Sequence, residues 1–372
     1  MKVLFLTNTP APYRVLFFNE LGKKCELTVL YENNVMEDRN KIWYSEKAKN
    51  YTEKFLKGFH FKGRDIRFNI IKELSDTFDF IILGGAYSSP TTMIAVQYLS
   101  VKKIPFMVCV DGGIVKKDSK FVGYIKKYFM SKASAWLSTG KVTDLYLINY
   151  GADKKRIYHY PFTSLMGEDI ITNLILPEEK NQIKKKINIK EDKVIISVGQ
   201  FIHRKGFDVL LRSCEKFGKD IGIYIIGGEP NQEYLNLKEV LGLTNVHFVG
   251  FKSKEDLVEY YKAADLFVLP TRFDPWGLVV QEAMAFGLPV ITTDKCIAGL
   301  ELIMDYENGF IVPVENEIIL SNRIIEVLSK NDLKSNMSLN NLEKILGYTI
   351  EIQGQRFIDI FNNFNNSSMK EY

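Results

Sequence analysis

A chain of 372 residues, 46% hydrophobic and 25% charged, can bury a large core and is long enough for two domains, so it reads as globular and soluble. Its four cysteines, Cys25, Cys109, Cys214 and Cys296, lie far apart without a Cys-x-x-Cys pair, which excludes a disulfide framework and a cysteine-rich zinc site and fits a reducing cytosol. The net charge of +4 conceals an asymmetry: residues 1–166 carry 26 Lys+Arg against 15 Asp+Glu, and the rest 23 against 30. The first half either faces something anionic or uses its lysines to solvate helix faces.

The first apolar run, Val3 to Thr7, reaches Asn8 and Pro10 too soon for a signal peptide, and no stretch approaches the roughly 18 apolar residues of a spanning helix. A cytoplasmic location is expected, peripheral to the inner face of a membrane if the chain meets one. The lysines form no recognised nucleic-acid motif, so no nucleic-acid partner is expected. His60, His159, His203 and His247 show no ligand spacing and no Asp-x-Asp occurs, so no metal is expected.

In chain order, short apolar runs alternate with helix-length amphipathic segments, the mark of repeated β-α units and parallel sheets. The first series predicts strands at Val3–Leu6, Leu27–Tyr31, Phe80–Leu83, Phe106–Val110, Ala135–Ser138 and Ile157–Tyr160, with helices such as Thr91–Val101 and Val142–Asn149 between them. A second series begins after a Pro- and Asn-containing stretch near residues 161–178. Its strands are Val194–Val198, Gly222–Ile226, Val246–Val249, Leu266–Leu269, Pro289–Thr292 and Phe310–Val312. The runs are nearly continuous instead of alternating, as where helices cover both sheet faces. The fold class is therefore α/β, with two Rossmann-like doubly wound domains: residues 1–165, completed by a C-terminal helix at 350–366, and residues 166–349. The polar tail from Asn365 to Tyr372 is expected to fray.

Ligands of such sheets sit beyond the carboxyl ends of the strands, so residues there are the ones to inspect. In the second domain the first strand is followed by Gln200 to Asp208, which sets Arg204 and Lys205 just before a helix. The two cations and the helix N-terminus would stabilise a diphosphate; the plainer alternative is a basic pair on a surface loop. After the second strand, Gly227 and Gly228 either let backbone approach a ligand or make an ordinary turn. After the fourth strand, Pro275 and Gly277 keep Asp274 in a loop, while Leu278 onward forms a helix with Glu282 in its second turn. Glu282 binds something such as a ribose diol, or serves as a solvated or dipole-pairing glutamate. In the first domain a strand ends at Val110-Asp111-Gly112-Gly113, where Asp111 contacts a sugar or acceptor, or caps a loop. Residues 116–132 interleave lysines with aromatics at helical spacing, which suits an interfacial helix on anionic lipid or a helix with its aromatic face in the core.

The ordered motifs resemble retaining glycosyltransferases of family 4, which share the B-type fold of two facing Rossmann-like domains with a cleft between them. The resemblance rests on Gly199-Gln200-Phe201 with Arg204-Lys205-Gly206, Val249-Gly250-Phe251, Ala264 to Pro270, Gly277 with Glu282-Ala283-Met284-Ala285, and Gly287 to Ile291. It is looser before residue 194, where Asn8 to Arg14 and Leu147 to Ala152 are similar to a subset of the family. It implies that the first domain binds the acceptor and the second a nucleotide-sugar, with Arg204 and Lys205 on the diphosphate, Glu282 on the ribose and Phe251 near the base. It also implies that Asp274, with the backbone of Pro275, Trp276, Gly277 and Leu278, meets the transferred sugar; Gly227, read from its place after the second strand, is the further donor-binding candidate. Asp274 departs from the glutamate usual there, and Pro10, Pro12 and Arg14 replace the usual glycine pair after the first strand.

The activity so implied is transfer of a hexose-type sugar, with retention, from a nucleotide-sugar such as a UDP-sugar to a saccharide or lipid-linked saccharide in cell-surface polysaccharide or glycoconjugate synthesis. The donor is a substrate, and no cofactor is implied. The alternatives are a sugar-nucleotide epimerase of the same fold, which needs several acid-base groups around the sugar, and a non-catalytic nucleotide-sugar-binding protein.

Overall fold

The computed structural model describes residues 1–34, 46–61, 64–215 and 217–368. The chain divides into two compact units, Met1–Ser164 with Tyr348–Tyr372, and Leu165–Gly347. Each is a Rossmann-like α/β domain on its own parallel sheet.

Unit 1 runs β1 (Lys2–Thr7), α1 (Pro12–Gly22), β2 (Glu26–Tyr31), β3 (Thr52–Phe55), an antiparallel hairpin of β4 (Phe59–Phe61) and β5 (Arg64–Ile66), α2 (Ile70–Glu73), β6 (Phe80–Gly84), α3 (Pro90–Lys102), β7 (Met107–Val110), α4 (Lys120–Met130), β8 (Ala135–Ser138), α5 (Lys141–Asn149) and β9 (Ile157–His159). Its sheet is ordered β3-β2-β1-β6-β7-β8-β9, with Leu4 opposite both Thr28 and Ile81. Helices cover both faces, so Val3 to Leu6 are all buried. The strand β3, Thr-Glu-Lys-Phe, is exposed throughout and lies at the sheet edge. Helix α3 opens with a reciprocal cap between Ser89 and Thr92 and has Pro90 at its first position. In α4 Met130 is buried and Phe129 packs partly against the same core, while Phe121 and Tyr124 are exposed.

Unit 2 runs α6 (Pro177–Lys186), β10 (Lys193–Val198), α7 (Phe207–Ser213), β11 (Ile221–Ile226), α8 (Gln232–Val240), β12 (Val246–Val249), α9 (Lys254–Ala263), β13 (Leu266–Leu269), α10 (Leu278–Ala285), β14 (Val290–Thr293), α11 (Ile297–Leu302), β15 (Gly309–Val312), α12 (Glu317–Ser329) and α13 (Asn331–Ile345). Its sheet order is β12-β11-β10-β13-β14-β15, all parallel. The winding direction reverses between β10 and β13, and in unit 1 between β1 and β6. In each unit the loops after those two strands therefore flank that sheet's own switch point, where such sheets hold ligands.

The last helix, α14 (Ile350–Ser368), returns to unit 1. Phe357 and Phe361 are fully buried; Phe361 stacks on Phe80 at 4.4 Å between ring centroids, and Phe357 lies 4.8 Å from Phe17. Arg356 Nε donates to the His159 carbonyl at 2.9 Å, tying the helix to the end of β9. The tail expected to fray begins within α14, which extends to Ser368, and residues 369–372 of it lie outside the described residues.

Candidate active site

The turn after β10 and the loop after β13 are built against each other. Gly206 has φ +69°, and a Cβ there would fall 2.2 Å from the Pro270 carbonyl oxygen, so only glycine lets the two segments touch. The Arg204 carbonyl accepts from Arg272 N at 2.8 Å and from Thr271 Oγ1 at 2.9 Å, while Arg204 Nη1 donates to the Phe273 carbonyl at 2.9 Å. This reciprocal set fixes the short turn His203–Lys205 that carries both cations. Lys205 Nζ donates to Asp274 Oδ2 at 2.7 Å, and Arg204 Nη1 stands 3.6 Å from the same oxygen. Lys205 and Asp274 are buried, and Arg204 is partly exposed.

Beneath the turn, Arg272 acts as a brace. Its guanidinium meets both oxygens of Asp208 at 2.8 Å, donates to the His203 carbonyl at 2.7 Å and also pairs with Glu315. Burial opposes the charge on Asp208, but Arg272 and Arg212 hold its carboxyl below the usual range. The sequence marks Arg272 only as a basic residue after a strand, and its partners are 64 and 43 positions away.

Asp274 is also fixed by its backbone, which accepts from Ile297 N at 3.2 Å and donates to the Lys295 carbonyl at 3.0 Å. Of the backbone expected to meet a sugar, Pro275 has no N–H, and Trp276 N lies 3.4 Å from Asp274 Oδ1. The Trp276 indole is buried and donates to Gln281 Oε1 at 3.2 Å, so its ring packs in the core, and it is the Trp276 backbone that borders the loop. Gly277 has φ +100° and a Cβ on it would lie 2.8 Å from Cys296 Sγ. Burial, then the nearby Asp274, pushes the Cys296 thiol up to about 12. Leu278 starts α10, and Glu282 sits in its second turn, as the residue pattern requires.

Glu282 is half-buried and accepts from Tyr261 Oη at 3.1 Å. Burial, then Glu282, raises the Tyr261 phenol well above its ordinary value, so it stays a donor and orients the carboxylate. A protein partner thus accounts for part of what the sequence assigned to a ribose. Gly227 has φ +150°, and a Cβ there would lie 2.1 Å from the Gly199 carbonyl oxygen, so the ends of β10 and β11 approach closely. Phe251, just past β12, is substantially exposed. The structure brings Arg204, Lys205 and Asp274 into direct contact and links them through Trp276 to Gln281, the neighbour of Glu282.

Unit 1 has its own cavity, of about 330 Å³, at the carboxyl ends of β1, β6 and β7. Its lining includes Arg14, Glu32, Tyr87, Asp111, Met130 and Tyr146. Arg14 and Asp111 form an ion pair, and Tyr160 Oη donates to Asp111 Oδ1 at 2.7 Å. Burial works against the Arg14 charge, yet Asp111 raises its pKa above the ordinary arginine value. Both residues line the cavity, and the Asp111 side chain, 30% exposed against 6% for Arg14, is the more accessible of the pair. Asp111 is thus held by two side chains, Arg14 and Tyr160, at the end of β7. Arg14 was legible only as a departure after the first strand.

The fold has well-covered counterparts. The Anabaena protein HepE, solved in complex with UDP, superposes with a TM-score of 0.79 over 98% of this chain and 100% of its own, at 15% identity, a likeness of fold. An uncharacterised glycosyltransferase of Methanocaldococcus jannaschii is 29% identical over 59% of this chain and 57% of its own length. An N,N'-diacetylbacillosaminyl-diphospho-undecaprenol alpha-1,3-N-acetylgalactosaminyltransferase of Campylobacter jejuni is 25% identical over 50% of this chain and 48% of its own. The chain thus spans about half the length of these curated relatives. Residues 179–344, most of unit 2, match the model of the family described as glycosyl transferases group 1.

Proposed function

We propose that the chain is a glycosyltransferase that moves a hexose-type sugar from a UDP-sugar to a hydroxyl of a lipid-linked saccharide, in the synthesis of cell-surface polysaccharide or glycoconjugate, with retention of configuration. The observation that carries this reading is the pair Arg204 and Lys205, held by both of the loops that flank the unit 2 switch point. Support comes from the family match over unit 2, from the Anabaena neighbour's structures with UDP and UDP-glucose, and from the Campylobacter relative's name, which specifies a diphospho-undecaprenol-linked saccharide.

In this reading a diphosphate, carrying more charge than one carboxylate, draws Lys205 and Arg204 onto its oxygens, and Asp274 turns to the sugar. Glu282, oriented by Tyr261, accepts from the ribose hydroxyls, and Phe251 lies near the base. As the bond from the sugar's anomeric carbon to the phosphate oxygen breaks, the acceptor oxygen bonds to that carbon on the same face and its proton passes to the departing phosphate oxygen. The two cations stabilise the charge that develops there, the role a divalent ion would otherwise fill. The acceptor binds unit 1, where Asp111 offers a fixed hydrogen-bond acceptor to a hydroxyl.

A panel of sugar nucleotides tests this by thermal shift and by slow hydrolysis without acceptor. UDP and one UDP-hexose should raise the melting temperature by mass action, and Arg204→Ala should remove the shift. If no sugar nucleotide shifts the wild type at millimolar concentration, the reading fails.

A further inference from the structure

The segment from Val115 through α4 to Lys132 is the most conspicuous surface of unit 1. Phe121 is 73% exposed, Tyr124 69%, Val115 45% and Val122 40%. Phe121, Tyr124 and Tyr128 follow one another at three and four residues and so share one face of the helix. Lys120 and Lys127 fall beside them on that face, and Lys116, Lys117, Lys120, Lys127 and Lys132 are all exposed. Lys132 Nζ lies over the Tyr128 ring at 4.8 Å. An apolar strip rimmed by cations on a water-facing helix is costly to leave in water, and its sign of charge specifies what covers it.

The segment's one acid is committed inward. Asp118 takes Lys126 Nζ at 2.9 Å and Tyr150 Oη, and these two contacts lower its pKa. Lys126 also lies 5.6 Å from the Tyr87 ring centroid and 5.1 Å from that of Tyr150. Tyr87, like Met130 at the end of α4, lines the unit 1 cavity. The inner face of the segment is thus braced to the cavity wall, while its outer face keeps five lysines with Phe121 and Tyr124.

The geometry points to this outer face as a docking surface for an anionic lipid bilayer, with the phenyl and phenol rings at the headgroup level and the lysines over lipid phosphates. Docking there sets the unit 1 cavity beside the membrane surface, where a lipid-anchored saccharide presents its sugar. None of the helices among the described residues is long and apolar enough to cross a membrane, so the contact is peripheral.

The test is co-flotation of the full chain with vesicles of phosphatidylcholine alone and of phosphatidylcholine with phosphatidylglycerol. It needs no donor and no turnover, so its outcome is separate from that of the transferase reading. The wild type should float with the anionic vesicles at low ionic strength and stay behind with the neutral ones. Lys116→Glu with Lys117→Glu and Lys120→Glu should weaken binding by roughly 100-fold or more, since each lysine near such a surface multiplies it severalfold. Phe121→Ser with Tyr124→Ser should also abolish flotation while leaving the circular dichroism spectrum unchanged. No flotation with anionic vesicles overturns the proposal, as does flotation untouched by either variant. So does a wild-type dimer in light scattering that Phe121→Ser with Tyr124→Ser converts to monomer, because a second copy would then cover the face.

Discussion

Lys205 Nζ stands 2.7 Å from Asp274 Oδ2, both side chains buried, joining loops 69 residues apart in sequence. The cation that the proposed donor needs is thus ordered in advance, at the cost of a carboxylate beside an incoming diphosphate. Asp274→Asn separates the two effects. It should lower stability in urea by about 3 kcal/mol, because a buried lysine loses its counter-charge, and should tighten UDP binding in calorimetry, because a like charge is gone. Unchanged stability together with weaker UDP binding would contradict this account of the pair.

Phe361 tests whether α14 belongs structurally to unit 1. It is fully buried and stacked on Phe80 from the sheet. Phe361→Ala should cost about 3–5 kcal/mol in urea unfolding. A loss within about 0.5 kcal/mol, the range of ordinary surface changes, would mean the helix contributes little.

Gly227→Ala probes the close approach of β10 and β11. The new methyl would meet the Gly199 carbonyl oxygen at 2.1 Å with φ at +150°. Both strain and contact predict a loss of about 2–3 kcal/mol, read by thermal melting. A variant as stable as the wild type would mean the strand ends separate without cost.

Asp208 gives the brace a pH signature. Its carboxyl is held below the ordinary range by Arg272 and Arg212 against the effect of burial. A depressed pKa gives stability that is full above the unfolded value, about 3.9, and is lost as pH falls through the folded value. The melting-temperature gap between wild type and Asp208→Asn should be wide at neutral pH and close under more acidic conditions. A gap that stays constant with pH would show that the carboxylate's charge is not what braces the turn.

The strands that carry the sheets were legible because buried parallel strands are continuous apolar runs: Ala135–Ser138, Val246–Val249 and Leu266–Leu269 stand where the residue pattern puts them. The edge strand Thr52–Phe55 was not, since Thr-Glu-Lys-Phe is exposed and gives no such run. In the site, the glycines and the Arg204-Lys205 pair were visible as residue types at strand ends. Their partners were not: Asp274 for Lys205, Asp208 for Arg272, Tyr261 for Glu282 and Asp111 for Arg14 are set by how loops from distant strands meet. Trp276 read as a loop residue, and only packing reveals its ring turned onto Gln281.

The claim on which the rest depends is that Arg204 and Lys205 stabilise a departing diphosphate. Its most direct test is turnover of the UDP-sugar selected by the panel, in Arg204→Ala and Lys205→Ala, each checked for an unchanged far-ultraviolet spectrum. Loss of one such charge contact should lower kcat by roughly 100- to 1000-fold. Turnover equal to wild type in both well-folded variants would contradict the account.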